Sequence, residues 1–185
     1  MFRLKSNYFK IFMKLNGIKY GRNLNLIGIP IIYKERHASI EIGNNCTIKS
    51  DFLSNLVGLY QRTIIVARGN GRIIIGDNVG ISGATIYARD KIQIGDYTII
   101  GGNAKILDND FHPIEPEERK VDNKDKIKKE EIIIGENCFI GVNSIILKGT
   151  KLGKNCIVGA GSVVSGVFPD NVIIAGNPAK IIRNI

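Results

Sequence analysis

At 185 residues and 44% hydrophobic, the chain is one domain long and apolar enough to bury a core, which excludes a disordered segment. The net charge of +9 is unevenly placed: residues 1–36 hold eight bases against one acid, Glu35, so a basic N-terminal arm precedes a nearly neutral body, and no nucleic-acid partner is expected. The three cysteines are odd in number and far apart, which argues against a disulfide framework and against a zinc site.

Residues 1–16 set Phe2, Phe9, Phe12, Met13 and Leu15 among Arg3, Lys5, Lys10 and Lys14, which predicts a short amphipathic helix. The pattern is not that of a secretory leader, and no run reaches the ~20 apolar residues of a membrane span, so a cytoplasmic protein is expected. The arm either caps the body of the chain or makes a peripheral contact with the inner face of the membrane. His37, between Arg36 and Ala38, has no motif around it and is expected to be a surface or packing residue.

Residues 17–185 form a second unit, organised by a repeat of six. A less complete copy starts at Ile42, and residues 49–70 interrupt it. Ile75, Ile81 and Tyr87 are six apart, as are Ile94, Ile100 and Ile106, and then Ile134, Ile140, Ile146, Leu152, Val158 and Val164. Gly usually follows the aliphatic. Asn or Asp often comes next, as at Asn44, Asn45, Asp77, Asn78, Asp96, Asn137 and Asn155, and these residues tolerate left-handed backbone. The fourth position after the aliphatic is small or thin, and Cys46, Cys138 and Cys156 all fall there, as buried structural thiols would. A period of six is neither helical nor simple alternation. It predicts a strand, a corner and another strand, three to a coil, with coils stacked into a parallel β-helix. The register is lost between Ile106 and Ile134, and residues 113–131, rich in Lys, Glu and Asp, read as a long loop thrown out from the stack.

The hexads, together with Asp108-Asn109-Asp110-Phe111-His112-Pro113, resemble the hexapeptide-repeat acyltransferases and in particular their sugar and polysaccharide O-acetyltransferase branch. The resemblance implies an all-β, left-handed parallel β-helix, an exception to the usual right-handed crossover. It implies transfer of an acetyl group from acetyl-CoA to a hydroxyl of a sugar or polysaccharide precursor, with no metal required. His112 would be the general base, a task for which an imidazole suits. Asp108 and Asp110 would fix its ring or bind the acceptor, and Ser82 would orient the acceptor or hold the oxyanion.

For the donor, the resemblance points to Phe139, where the family commonly has Trp, and to Gly141, Val142, Gly159, Ala160 and Ser165 along the pantetheine arm. Lys180 and Arg183, in Ala175-Gly176-Asn177-Pro178-Ala179-Lys180-Ile181-Ile182-Arg183, would meet the phosphates. It also implies a homotrimer with CoA in the groove between copies. Two histidines are too few for the three-histidine zinc site of a carbonic anhydrase on the same fold. An N-acetyltransferase of an amino-sugar nucleotide and a catalytically silent trimeric scaffold remain as alternatives.

Overall fold

The structure, a computed structural model, describes residues 2–185, with side chains from Ser6 onward, so the Phe2, Arg3 and Lys5 side chains of the arm lie outside the described residues. It is a left-handed parallel β-helix whose short strands fall into three sheets of seven, eight and six strands. Within the three sheets every strand pairing among the described residues is parallel except the last, where Val172–Gly176 and Ala179–Asn184 form an antiparallel pair at the end of the eight-stranded sheet.

Three columns of inward side chains, all aliphatic but Phe168, fill the interior, one per sheet. In register along the first stand Ile42, Ile75, Ile94, Ile134, Leu152 and Phe168. The second holds Leu26, Ile48, Ile81, Ile100, Ile140, Val158 and Ile174. The third holds Ile32, Ile65, Ile86, Ile106, Ile146 and Val164. All are buried, and each aliphatic side chain so placed contributes about 1.5–3 kcal/mol.

The third column corrects the hexad register at one point. Ile86 points inward and Tyr87 does not, because the corner through Gly83, which has a φ of +55°, is one residue shorter than the corresponding corner between Ile100 and Ile106. A second correction concerns residues 49–70. The departure from the coil is confined to residues 51–63, and Ile64–Ala67 returns as a regular strand between Ile31–Lys34 and Thr85–Ala88.

One corner is laced by asparagines. Asn23, Asn45, Asn78, Asn137, Asn155 and Asn171 all have φ between 55° and 61°. Their amides donate from coil to coil, Asn23 to Asn45 at 3.0 Å, Asn45 to Asn78 at 3.2 Å, Asn137 to Asn155 at 2.9 Å and Asn155 to Asn171 at 2.7 Å. Asn44, Asp77 and Asp96 serve differently: each side chain accepts the backbone N–H of the coil before it, from Arg22, Asn44 and Asp77 in turn. Gly76 leaves no room for a Cβ, which would run into the Asp96 carboxylate.

Helix α1 (Phe2–Leu15) covers the first coil. Met13 is fully buried in the core, Phe9 packs against it, and the Tyr20 hydroxyl donates to the Lys10 carbonyl at 3.3 Å. No helix among the described residues is long and apolar enough to cross a membrane.

Cys46, Cys138 and Cys156 line one interior edge, fully buried and unpaired, each thiol donating to a backbone carbonyl at 3.1 Å, of Gly76, Gly153 and Pro169 respectively. Burial pushes all three thiols up, Cys138 to about 12. Because the thiolate is the reactive form, native protein at mildly alkaline pH should resist an aromatic disulfide reagent and release three equivalents only on unfolding. Rapid labelling of folded protein would show that this edge is open.

Candidate active site

The coil stack is broken on the edge where Lys105–Leu107 ends. Instead of turning the corner, the chain leaves at Asn109 and returns at Glu131, and an isolated antiparallel bridge pairs Asn109 with Lys129 at the neck. The loop predicted at 113–131 is therefore ordered. It carries a short helix, Pro116–Lys120, and a 3-10 turn, Lys124–Lys126.

Asp108 is the brace of this exit. It is fully buried, and its carboxylate accepts the backbone N–H of Arg89 at 2.8 Å, that of Asp90 at 2.8 Å and the side-chain amide of Asn109 at 3.0 Å. Burial pushes its carboxyl above the usual range, against the lowering effect of those three donors. These three contacts tie Asp108 to the preceding corner and to Asn109, and its carboxylate makes no hydrogen bond to His112 among the described residues.

Asp110 sits nearer the surface, in an ion pair with Lys148. Its second oxygen, Oδ2, is buried without a hydrogen-bond partner among the described residues. The Asp110 carbonyl accepts the His112 backbone N–H at 2.7 Å. Between them Phe111 adopts a φ of +61°, its N–H donating to the Asn109 side chain at 3.0 Å. This kink exposes the His112 side chain on the wall of a cleft of about 490 Å³, lined also by Glu35, Arg68, Tyr87, Arg89, Phe111, Asp122, Lys124 and Ile127.

Most of that cleft was invisible in the sequence. Glu35 pairs with Arg68 at 2.7 Å, and the Gly69 N–H and the Arg68 guanidinium hold its carboxyl below the usual range. Tyr87 tilts against Phe111 with ring centroids 4.8 Å apart. An aromatic ring at a position counted as inward, in a column otherwise aliphatic, was the one available sign that Tyr87 faces out. Lys148 had none; it stands one coil beyond Asp108, since Leu107 pairs with Leu147. His37 is exposed and does not line the cleft.

A second depression, a groove of about 400 Å³, runs across the eight-stranded sheet. Phe139 lines it, half exposed and in register with Ile99 and Ile157 on either side. Gly141, Val142, Gly159 and Ala160 continue the groove, and Asn55 and Val57 of the 51–63 excursion stand over one end. The excursion is tied down by buried Asn103, which accepts from the Tyr60 N–H at 3.2 Å and donates to the Gly58 carbonyl at 2.9 Å. Gly141 is glycine for the fold's own reason: a Cβ there would lie 2.6 Å from the Ala160 nitrogen of the next coil.

Five of the expected donor residues are thus brought together, and three are not. Ser165, Lys180 and Arg183 are exposed and line neither depression: Ser165 follows the strand Val163–Val164 of the six-stranded sheet, and Lys180 and Arg183 lie on the final strand, which turns back antiparallel. Ser82 is also displaced from its expected company. It lines the groove, as Phe139 does, whereas His112 lies in the cleft, and the two depressions share no residue. No group of His, Cys and carboxylate side chains suited to a metal occurs among the described residues.

Residues 131–165 match the family "Hexapeptide repeat of succinyl-transferase". The chain is 33% identical over 168 residues to the Escherichia coli K12 protein called "Putative lipopolysaccharide biosynthesis O-acetyl transferase WbbJ", covering 88% of this chain and 80% of that one. It is 33% identical over 147 residues to a galactoside O-acetyltransferase of Lactococcus lactis, covering 78% of this chain and 63% of that one. A crystal structure of a mutant of AntD, an N-acyltransferase from Bacillus cereus in complex with dTDP and coenzyme A, shares the fold, with a TM-score of 0.72 at 24% identity over 95% of this chain and 88% of that one.

The brace at Asp108 is testable apart from any activity. Asp108→Asn keeps one acceptor oxygen but strands an N–H of the buried corner, which should lower stability by about 1–3 kcal/mol in urea unfolding. An unchanged midpoint would mean that the corner holds itself. In register, hexad spacing and extent of similarity, the chain belongs to the hexapeptide-repeat acetyltransferase family.

Proposed function

We propose that this acetyl-CoA-dependent transferase moves an acetyl group onto a hydroxyl of a sugar in a surface-glycan precursor, with His112 as general base. The observation that carries this is the exit from the coil stack, where Asp108 and the Phe111 kink fix a histidine at the mouth of a polar cleft. His112 takes the proton of the acceptor hydroxyl as its oxygen attacks the thioester carbonyl. The oxyanion collapses, expelling the CoA sulfur, to which the imidazolium returns the proton. No covalent enzyme intermediate is needed. Asp110, held by Lys148, has a free buried oxygen one residue from the Phe111 kink and suits the role of orienting the imidazole.

The groove suits the donor. Its floor of glycine, alanine and valine lets a thin pantetheine arm lie close to the coil, and Phe139 supplies an apolar wall in place of the family's usual Trp. Because cleft and groove are separate within one chain, the reading requires a homotrimer in which the His112 edge of one copy meets the groove of the next. Ser82 then belongs to the composite site through its neighbour, and Lys180 and Arg183 remain candidates for the CoA phosphates only in that assembly. Arg89 on the cleft wall suits an acceptor that bears phosphate, while Lys124 there is paired with Asp122 at 3.7 Å.

The test is release of free thiol from acetyl-CoA against a panel of sugars, sugar nucleotides and their amino-sugar counterparts. His112→Ala should lower turnover by about 10²–10⁴ with acetyl-CoA affinity retained, while His37→Ala should change little. Equal activity of wild type and His112→Ala would sink the mechanism. Transfer to amines alone would make it an N-acetyltransferase, and failure to bind acetyl-CoA would leave a scaffold. Light scattering should give the mass of three chains, and a monomer with full activity would refute the shared site.

A further inference from the structure

Helix α1 has two apolar faces, and the fold uses only one of them. Ser6, Phe9 and Met13 turn toward the first coil, with Ser6 and Met13 buried. On the helical wheel Tyr8, Ile11 and Leu15 lie about 140–200° around from Met13. They are 71%, 57% and 82% exposed. Phe12, 47% exposed, flanks them. A helix that only capped the stack would carry polar groups on that outer side.

The charge on the same element is one-sided. Residues 2–15 contain Arg3, Lys5, Lys10 and Lys14 and no acid. Lys14 is exposed and lies over the Tyr20 ring at 5.6 Å, on the flank of the outer stripe. The rest of the chain past residue 36 carries only a small excess of positive charge, so the concentration of bases here is local.

We infer that the outer face of α1 docks on an anionic lipid bilayer, lying in the plane of the headgroups with Tyr8, Ile11 and Leu15 inserted and the bases against the lipid phosphates. Capping and docking are then not alternatives: Met13 holds the helix to the coil stack, and the opposite stripe meets the membrane. The charge pattern chooses this occupant over a second copy of the chain, since the helix carries four bases and no acid and two copies of it would meet with like charge. Each base near an anionic surface strengthens partitioning about fivefold, and the buried stripe adds an apolar contribution. The role follows from α1 alone and holds whatever the acceptor proves to be.

The test uses the full chain and sedimentation with vesicles of phosphatidylcholine, with and without phosphatidylglycerol. No acceptor or acetyl-CoA is present, so failure of the acetyl-transfer mechanism would leave the result intact. Wild type should bind only the anionic vesicles and come off in high salt. The Ile11→Glu, Leu15→Glu double variant should bind about tenfold or more weakly with its melting temperature and assembly mass unchanged. The chain has no Trp, so Leu15→Trp in the otherwise native protein gives a single reporter, whose emission should shift to the blue on anionic vesicles. Absence of binding by wild type at low salt, or undiminished binding by the double variant, would overturn the inference. So would a change of assembly mass in that variant, which would assign the stripe to contacts between copies.

Discussion

Every coil of this protein must lie flat on the next, in register, at the spacing of parallel strands. That single requirement accounts for the three aliphatic columns, the glycines that clear the corners and the asparagines that lace them. Small residues occupy one interior edge because the triangular section narrows there, which is why three cysteines share it. Side-chain amides in the left-handed region satisfy one another from Asn23 to Asn78 and from Asn137 to Asn171. The chain of amides is interrupted by Tyr97, which adopts the same backbone conformation, φ 58°, but has no amide to pass on.

The cleft and the groove both adjoin places where the regularity of the scaffold fails. The excursion at 51–63 packs on the Gly102–Asn103 corner and lends Asn55 and Val57 to the groove. The exit at 109–131 opens the cleft around His112. In each case a buried polar side chain satisfies backbone groups at the break, Asn103 those of Gly58 and Tyr60 in the excursion and Asp108 those of Arg89 and Asp90. The shortened corner at Gly83 belongs to the same pattern. By dropping one residue it turns Tyr87 outward, where the ring meets Phe111 and forms part of the cleft wall.

The family relationship and the geometry bear on different parts of the function. Similarity across four-fifths of an O-acetyl transferase's length places the chain among enzymes of one chemistry. The geometry shows a histidine and an apolar groove lined by different residues of one chain, which is why the proposed reaction calls for a neighbouring copy. It also sorts residues that the motif groups together. Asp108 and Asp110 lie two apart in one signature, yet one is a buried brace and the other is an ion-paired carboxylate with an oxygen to spare.

By itself the sequence determined the β-helix, the inward hexad positions other than Tyr87, the burial of the cysteines and the candidacy of His112, Phe139, Gly141, Val142, Gly159 and Ala160. These were legible because a solenoid places each residue by its phase within a local repeat, so period translates directly into direction. Only the tertiary structure decided what depends on stacking between coils or on breaks in phase. Glu35, Arg68 and Arg89 come from separate coils, and no spacing in the chain announces that they meet His112. The extent of the excursion at 51–63 and the order of the loop at 109–131 rest on contacts with corners far along the chain. The double face of α1 was hidden for a further reason: a helical wheel shows two apolar stripes, but which one the coil stack takes is settled by where Met13 fits.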